Sequence, residues 1–153
     1  MYKMIRKARI TDAQEIQRLI NRFAVDGKLL PRSLSEVYDY LRDFYIYEGD
    51  DHHIGGVCAL HICWEDLAEI RSLAVTEEVR KKGIGEKLVE VCLEEAKQLG
   101  VLRVFLLTYI PLYFERVGFR VVEKSTLPHK IWGDCIKCVK FPNCDETAMI
   151  IDL

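Results

Sequence analysis

The segment Arg80-Lys81-Lys82-Gly83-Ile84-Gly85 places three cations and two glycines directly ahead of a stretch with helical periodicity. Those residue types suit one task, holding an anion. A helix start leaves backbone N–H groups without partners, and the helix dipole adds partial positive charge there. Glycines keep side chains away from a bound phosphate, and an arginine can fork onto phosphate oxygens. The apolar run Leu73-Ala74-Val75 just upstream reads as the end of a strand, so the order is strand, basic glycine loop, helix. The loop is not a Walker motif, because no G-K-[ST] follows. Nor is it the dinucleotide fingerprint, which needs a third glycine in a βαβ unit.

A second group of reactive residues lies near the C-terminus. Cys135 and Cys138 form a C-x-x-C, and Cys144 follows. With His129 they could make a Cys3His zinc set, although the second C-x-x-C of the usual double pair is missing. Zinc is therefore possible but not favoured. A reversible disulfide and free thiols in a loop over a substrate site are the other readings. Cys58, Cys63 and Cys92 sit in apolar text and read as small core residues. His52 and His53 lie at a turn, where solvent is the expected environment.

The elements around these residues can be traced from periodicity. A chain of 153 residues, half apolar and 30% charged, suits one compact domain covering residues 1–153. The net charge of −2 gives no electrostatic case for nucleic acid. The start MYKMIRKARITD lacks a leader's apolar core, and no apolar run reaches the length of a membrane span. A reducing cytoplasm is the expected compartment.

Met4 to Ile10 reads as a strand, and Thr11-Asp12 as caps of a helix carrying Ile16, Leu19, Ile20 and Phe23. Asp26-Gly27 ends that helix. After the loop Leu29-Leu30-Pro31-Arg32, either Ser33 or Ser35 caps a second helix whose buried face is Val37, Tyr38 and Leu41. Phe44–Tyr47, Ile54–Cys63 and Leu67–Val75 read as strands of an antiparallel meander. Gly83 opens a long helix with Ile84, Leu88, Val91, Cys92, Leu93 and Ala96 on its apolar face, and Gly100 caps its end. Val101–Leu107 is a strand covered on both sides, Pro111–Val117 a short helix, and 119–123 and 147–152 the last strands. The order predicts a mixed α/β (α+β) layer domain.

With these features in view, the sequence resembles the GNAT acetyltransferase superfamily. Arg80 to Gly85 matches its R-x-x-G-x-G motif, Leu73-Ala74-Val75 its L-x-V strand end, and Tyr113 to Phe119 its aromatic helix ending in G-F. The resemblance covers essentially the whole chain. It implies a mostly antiparallel twisted sheet, helices on both faces, and a splayed central strand pair. It also implies acetyl-CoA as co-substrate. Arg80, Lys81, Lys82, Gly83, Ile84 and Gly85 would hold its diphosphate, and the backbone of Leu73, Ala74 and Val75 its pantetheine arm.

A narrower resemblance is to the acetyltransferase domain of N-acetylglutamate synthases in short form. It rests on Gly27 to Ser33, Ala68-Glu69-Ile70, Phe105 to Thr108 and Leu127-Pro128. This implies transfer of acetyl to the α-amine of L-glutamate, in arginine biosynthesis. An amine attacks a thioester only when neutral, so a base is useful, and the resemblance assigns it to Glu69. Many family members protonate the departing thiolate with a tyrosine at the position held here by Phe114. The synthases place a hydroxyl on the preceding strand instead, and Thr108 matches it. Arg32, next to Leu30, is the matched carboxylate anchor, because a guanidinium pairs a carboxylate through two parallel hydrogen bonds. Arg71 would hold Glu69 or a second carboxylate, or form an ordinary ion pair. Lys137 and Lys140 are substitutes for a missing basic C-terminal segment.

The alternatives are another amine acceptor (glutamine, a polyamine, a protein N-terminus), or an acyl-CoA sensor without turnover. Many family members pair through C-terminal strands, so a homodimer is an expectation of the resemblance alone.

Overall fold

The computed structural model describes residues 4–25, 29–80, 82–127 and 146–153. They form a mixed α/β fold. The strands are β1 (Ile5–Lys7), β2 (Phe44–Glu48), β3 (Ile54–Trp64), β4 (Leu67–Val75), β5 (Arg103–Thr108), β6 (Arg120–Val122) and β7 (Thr147–Asp152). The helices are α1 (Ala13–Val25), α2 (Leu34–Asp39), α3 (Glu77–Arg80), α4 (Ile84–Leu99) and α5 (Pro111–Glu115). The strand order is β1-β2-β3-β4-β5-β7-β6. The pairs β1–β2, β2–β3, β5–β7 and β6–β7 are antiparallel, and β4–β5 is parallel. This is the mixed, mostly antiparallel sheet expected from the sequence.

The chain divides into two compact units, Met1–His61 with Ile70–Glu95, and Ile62–Glu69 with Ala96–Leu153. In the first, α1 buries Ala13, Ile16, Leu19 and Ile20, spaced as one helical face. They pack with Val37, Leu41, Phe44, Ile46, Ile54, Val57, Ala59 and Ala74. Helix α4 approaches β3 closely at Gly56, where a Cβ would stand 3.0 Å from Leu88 Cδ1. Cys58 and Cys92 are both fully buried there, with sulfurs 3.7 Å apart. In the second unit, Leu67, Phe105, Leu127, Ala148 and Ile150 form the core, with half-buried Cys63, Leu107 and Val122 against it.

Several expected boundaries move for local reasons. The first strand stops at Lys7 and Ile10 enters a 3-10 turn, because the Asp12 carboxylate accepts the Arg9 N–H at 2.7 Å. A short polar side chain that captures a nearby backbone donor competes with strand extension. Tyr38 is 43% exposed instead of buried, because α2 ends at Asp39 and Leu41 reaches the core from the following 3-10 turn. In α4, Val89 is buried and Val91 lies at the border of the apolar stripe. The strand expected from Val101 begins at Arg103. Gly100, at φ +87°, ends α4 with Val101 N–H bonded back to Ala96 O at 2.9 Å. That is the Schellman arrangement, and it consumes two residues before the strand can start.

The start of the chain is pinned by one ionic cluster. Arg6 makes two hydrogen bonds to Asp12, at 2.8 and 3.1 Å, and its Nε reaches Glu48 at 3.2 Å. Burial pushes the Asp12 carboxyl up, but the Arg6 and Arg9 hydrogen bonds outweigh it and hold the group below its ordinary 3.8. A carboxyl so lowered stabilises the fold above its unfolded pKa and loses that contribution as pH falls through the folded value. Asp12→Ala should cost about 2 kcal/mol at pH 7, the order expected for hydrogen bonds to a charged group. Urea unfolding of both proteins from pH 7 down to pH ~2 checks this, and the gap between them should narrow below pH ~4.

Candidate active site

The basic loop is built as the sequence suggested, with an added turn of helix. After Val75 the chain forms α3, and Gly83 then takes φ +72° before α4 begins. A Cβ on Gly83 would meet nothing within 4 Å, so the glycine is needed for its backbone angle rather than for space. Lys87 N–H bonds Gly83 O at 3.2 Å. The N–H groups of Ile84, Gly85 and Glu86 therefore lie ahead of the first bond of the helical ladder. Sixteen residues of aligned peptides in α4 place partial positive charge at this end.

Arg80 is held in place beside it. Its Nε donates to Val75 O at 3.0 Å, and its guanidinium stacks over the Phe23 ring at 5.4 Å. The two terminal nitrogens have no protein partner among the described residues. Lys82 N–H turns back to Val79 O at 3.1 Å, and Lys81 lies outside the described residues. The arrangement fits a diphosphate: amides with no partner among the described residues, beside a guanidinium fixed through its Nε. Val75 is a partial surprise, because its carbonyl is occupied by Arg80.

A second site lies in the same unit. A shallow, open pocket is lined by residues that include Arg32, Glu36, Tyr40, Asp43, Arg71 and Ser72. Val37, Phe44 and Ala59 supply its apolar wall. Arg32 is placed by its neighbours. Asn21 Oδ1 accepts the Arg32 N–H at 2.9 Å, and the Asn21 and Gln17 amides donate to Arg32 O at 3.2 and 3.3 Å. Ser33, rather than Ser35, caps α2 in a reciprocal box with Glu36. The Ser33 N–H bond holds the Glu36 carboxyl below its ordinary value. That carboxylate meets Arg32 Nη1 at 3.4 Å. Thus the helix cap also aims the guanidinium.

On the other wall, Ser72 has φ +56° in the middle of β4. A left-handed residue with a side chain costs about 1–2 kcal/mol, and such strain gathers at functional sites. Sequence reasoning missed Ser72, Tyr40, Asp43 and Glu36. The only signals were the Ser-x-x-Glu spacing of the cap and charged residues just ahead of an apolar strand. Leu30 is half-buried in the loop before α2 and does not line the pocket.

The remaining candidates lie in the second unit or outside the described residues. Glu69 is half-buried on β4, opposite Phe105 in the parallel ladder. The register of β4 with β5 runs from Leu67 to Glu69, and β4 continues to Val75 and β5 to Thr108. Thr108 is 6% exposed at the end of β5, and its Oγ1 accepts Ile110 N–H at 2.9 Å, so its own hydroxyl proton can still donate. Phe114 is buried in edge contacts with Tyr113 and Phe119. Behind it Gly118, at φ +114°, would place a Cβ 3.2 Å from Ile151 Cδ1. His129, Cys135, Cys138, Cys144, Lys137 and Lys140 lie outside the described residues. No helix of the described residues is long and apolar enough to cross a membrane.

Comparison with known proteins identifies a family and several relatives. A family model described as acetyltransferase (GNAT) family matches residues 13–119. An uncharacterized N-acetyltransferase of Chlorobaculum tepidum is 43% identical over 95% of this chain and 94% of its own length. An amino-acid acetyltransferase of Mycobacterium tuberculosis is 34% identical over 86% of this chain and 76% of its own. The crystal structure of N-acetylglutamate synthase from Neisseria gonorrhoeae, complexed with coenzyme A and N-acetyl-glutamate, superposes with a TM-score of 0.88 at 27% identity. It covers 97% of this chain, which spans 34% of that longer protein.

Removing the guanidinium beside α4 tests the anion site directly. Arg80→Ala should weaken coenzyme A binding by about tenfold or more, the effect of losing one charge-assisted phosphate contact. Calorimetry at two salt concentrations checks it, and the loss should shrink at high salt as screening weakens the charge in both proteins.

Proposed function

The chain belongs to the acetyltransferase (GNAT) family and is an acetyl-CoA-dependent N-acetyltransferase; on that premise we propose that its acceptor is the α-amine of L-glutamate. The observation that carries this reading is that two arginines, Arg32 and Arg71, are among the residues lining one pocket. Glutamate brings two carboxylates, and guanidinium is the side chain best matched to each. The amino-acid acetyltransferase relatives and the synthase solved with N-acetyl-glutamate support the same acceptor class. In this reading the protein supplies N-acetylglutamate for arginine biosynthesis in the cytoplasm.

The chemistry then assigns roles to this chain's residues. The α4 amides and Arg80 hold the diphosphate, which fixes the coenzyme. Backbone groups of Leu73 and Ala74 hold its pantetheine arm. Glu69 removes the ammonium proton, directly or through water, and the neutral amine attacks the thioester carbon. The tetrahedral intermediate collapses by breaking the C–S bond. Thr108, the hydroxyl at the end of β5, donates a hydrogen bond or proton to the departing thiolate.

Thiol release from acetyl-CoA with a panel of amino acids and polyamines tests the assignment. Glutamate should give the highest kcat/KM. Glu69→Ala should lower kcat by about 10²–10⁴, the usual worth of a general base. Arg32→Lys should raise the KM for glutamate by about tenfold with kcat nearly kept, because it loses paired binding and keeps charge. Preferred turnover of a polyamine would overturn glutamate as the acceptor.

A further inference from the structure

Two guanidiniums explain why a dicarboxylate would enter the pocket, but not why an amine would. Glutarate or succinate would satisfy Arg32 and Arg71 equally well and could not react. Selection of a reactive acceptor needs an anion on the same wall, placed to meet an ammonium group. The pocket holds two carboxylates, Glu36 and Asp43. Glu36 is committed on both oxygens. Its Oε1 accepts Ser33 N–H at 3.0 Å and its Oε2 faces Arg32 at 3.4 Å.

Asp43 is different. It stands immediately before β2, and its Oδ2 lies 2.7 Å from His61 Nδ1. Tyr40 packs edge-on against the same imidazole, with ring centroids 5.2 Å apart. The carboxylate is thus oriented by a ring that is itself wedged by a pocket residue. No described side chain or amide bonds the second oxygen, Oδ1. Asp43 is 24% exposed at its side chain and is one of the residues that line the pocket.

We propose that Asp43 is the specificity-determining anion of the acceptor pocket, its Oδ1 receiving the ammonium of the incoming amine while His61 holds the carboxylate in position. The inference rests on the reading of this pocket as the acceptor site, and it deepens that reading. Near neutral pH an α-amine arrives largely as ammonium, so the capture step is electrostatic. A charge-assisted hydrogen bond in a partly desolvated wall is among the stronger polar contacts. Holding the ammonium also opposes its deprotonation. The contribution of Asp43 therefore falls on capture, which sets KM, and not on turnover. His61 is a positioning residue, acting through Asp43.

The test compares an amine with its des-amino analogue. With the coenzyme A-loaded full chain, calorimetry measures glutamate against glutarate. The wild type should prefer glutamate by about thirtyfold, and Asp43→Asn should bring the two within about threefold while glutarate binding is kept. Asparagine retains an acceptor for His61, so the pocket's shape is preserved, and the kept glutarate affinity verifies that it is folded. In turnover, Asp43→Asn should raise the KM for glutamate by about tenfold or more, with kcat within about threefold and the KM for acetyl-CoA unchanged. His61→Gln should give a smaller rise in the same KM. An Asp43→Asn protein that keeps the preference for the amine, or loses both ligands equally, overturns the proposal. If wild type ignores glutamate, only the choice of glutamate falls. The same comparison is then made with the best amine of the acceptor panel and its des-amino analogue. A panel with no amine acceptor at all overturns both readings.

Discussion

Backbone amides at the head of a helix cannot find partners within it, and this constraint organises the start of α4, the proposed coenzyme site. Helix α4 starts at Ile84 because Gly83 takes φ +72°, which ends the preceding turn and points the next amides outward. Arg80 is then fixed by a carbonyl on one side and an aromatic ring on the other. The helix in turn is set against β3 by the missing side chain of Gly56. One anion site therefore draws on a strand end, a turn, a helix start and a packing contact. None of these could shift far without moving the amides.

The pocket beside α2, proposed to take the acceptor, follows a different logic. Its cations are aimed by structures whose first duty is folding. The Ser33–Glu36 box caps α2, yet the same Glu36 pairs with Arg32. The α1 amides of Asn21 and Gln17 grip the Arg32 backbone, so the anchor is tied to the first unit's core helix. Ser72 brings strain to the opposite wall. A pocket so supported keeps its guanidinium directed before any ligand arrives, which reduces the ordering cost of binding.

The Asp43–His61 pair adds the third charge. Guanidiniums recognise carboxylates but say nothing about an amine. Under the proposal, a carboxylate in the same pocket completes the pattern of a zwitterion: anions met by Arg, cation met by Asp. The imidazole keeps that oxygen from turning aside.

Local chemistry was legible in the sequence wherever one short segment carried the whole signal. The basic turn ahead of α4, the α1 and α4 stripes and the Gly100 stop all follow from spacing within about ten residues, because capping, helical periodicity and glycine angles are local effects. Tertiary structure decided what depends on residues far apart. Arg32, Asp43 and Arg71 share a pocket because β2, β3 and β4 lie side by side in the sheet and α1 holds the Arg32 backbone. His61 met Asp43 across a strand pair, and nothing in the run Leu60-His61-Ile62 announces it. The misplaced boundaries had local causes that periodicity does not carry: the Asp12 carboxylate took the Arg9 N–H and Ile10 left the strand, and Tyr38 turned to solvent when α2 stopped short. Side-chain partners chosen by folding, not by periodicity, settled those positions.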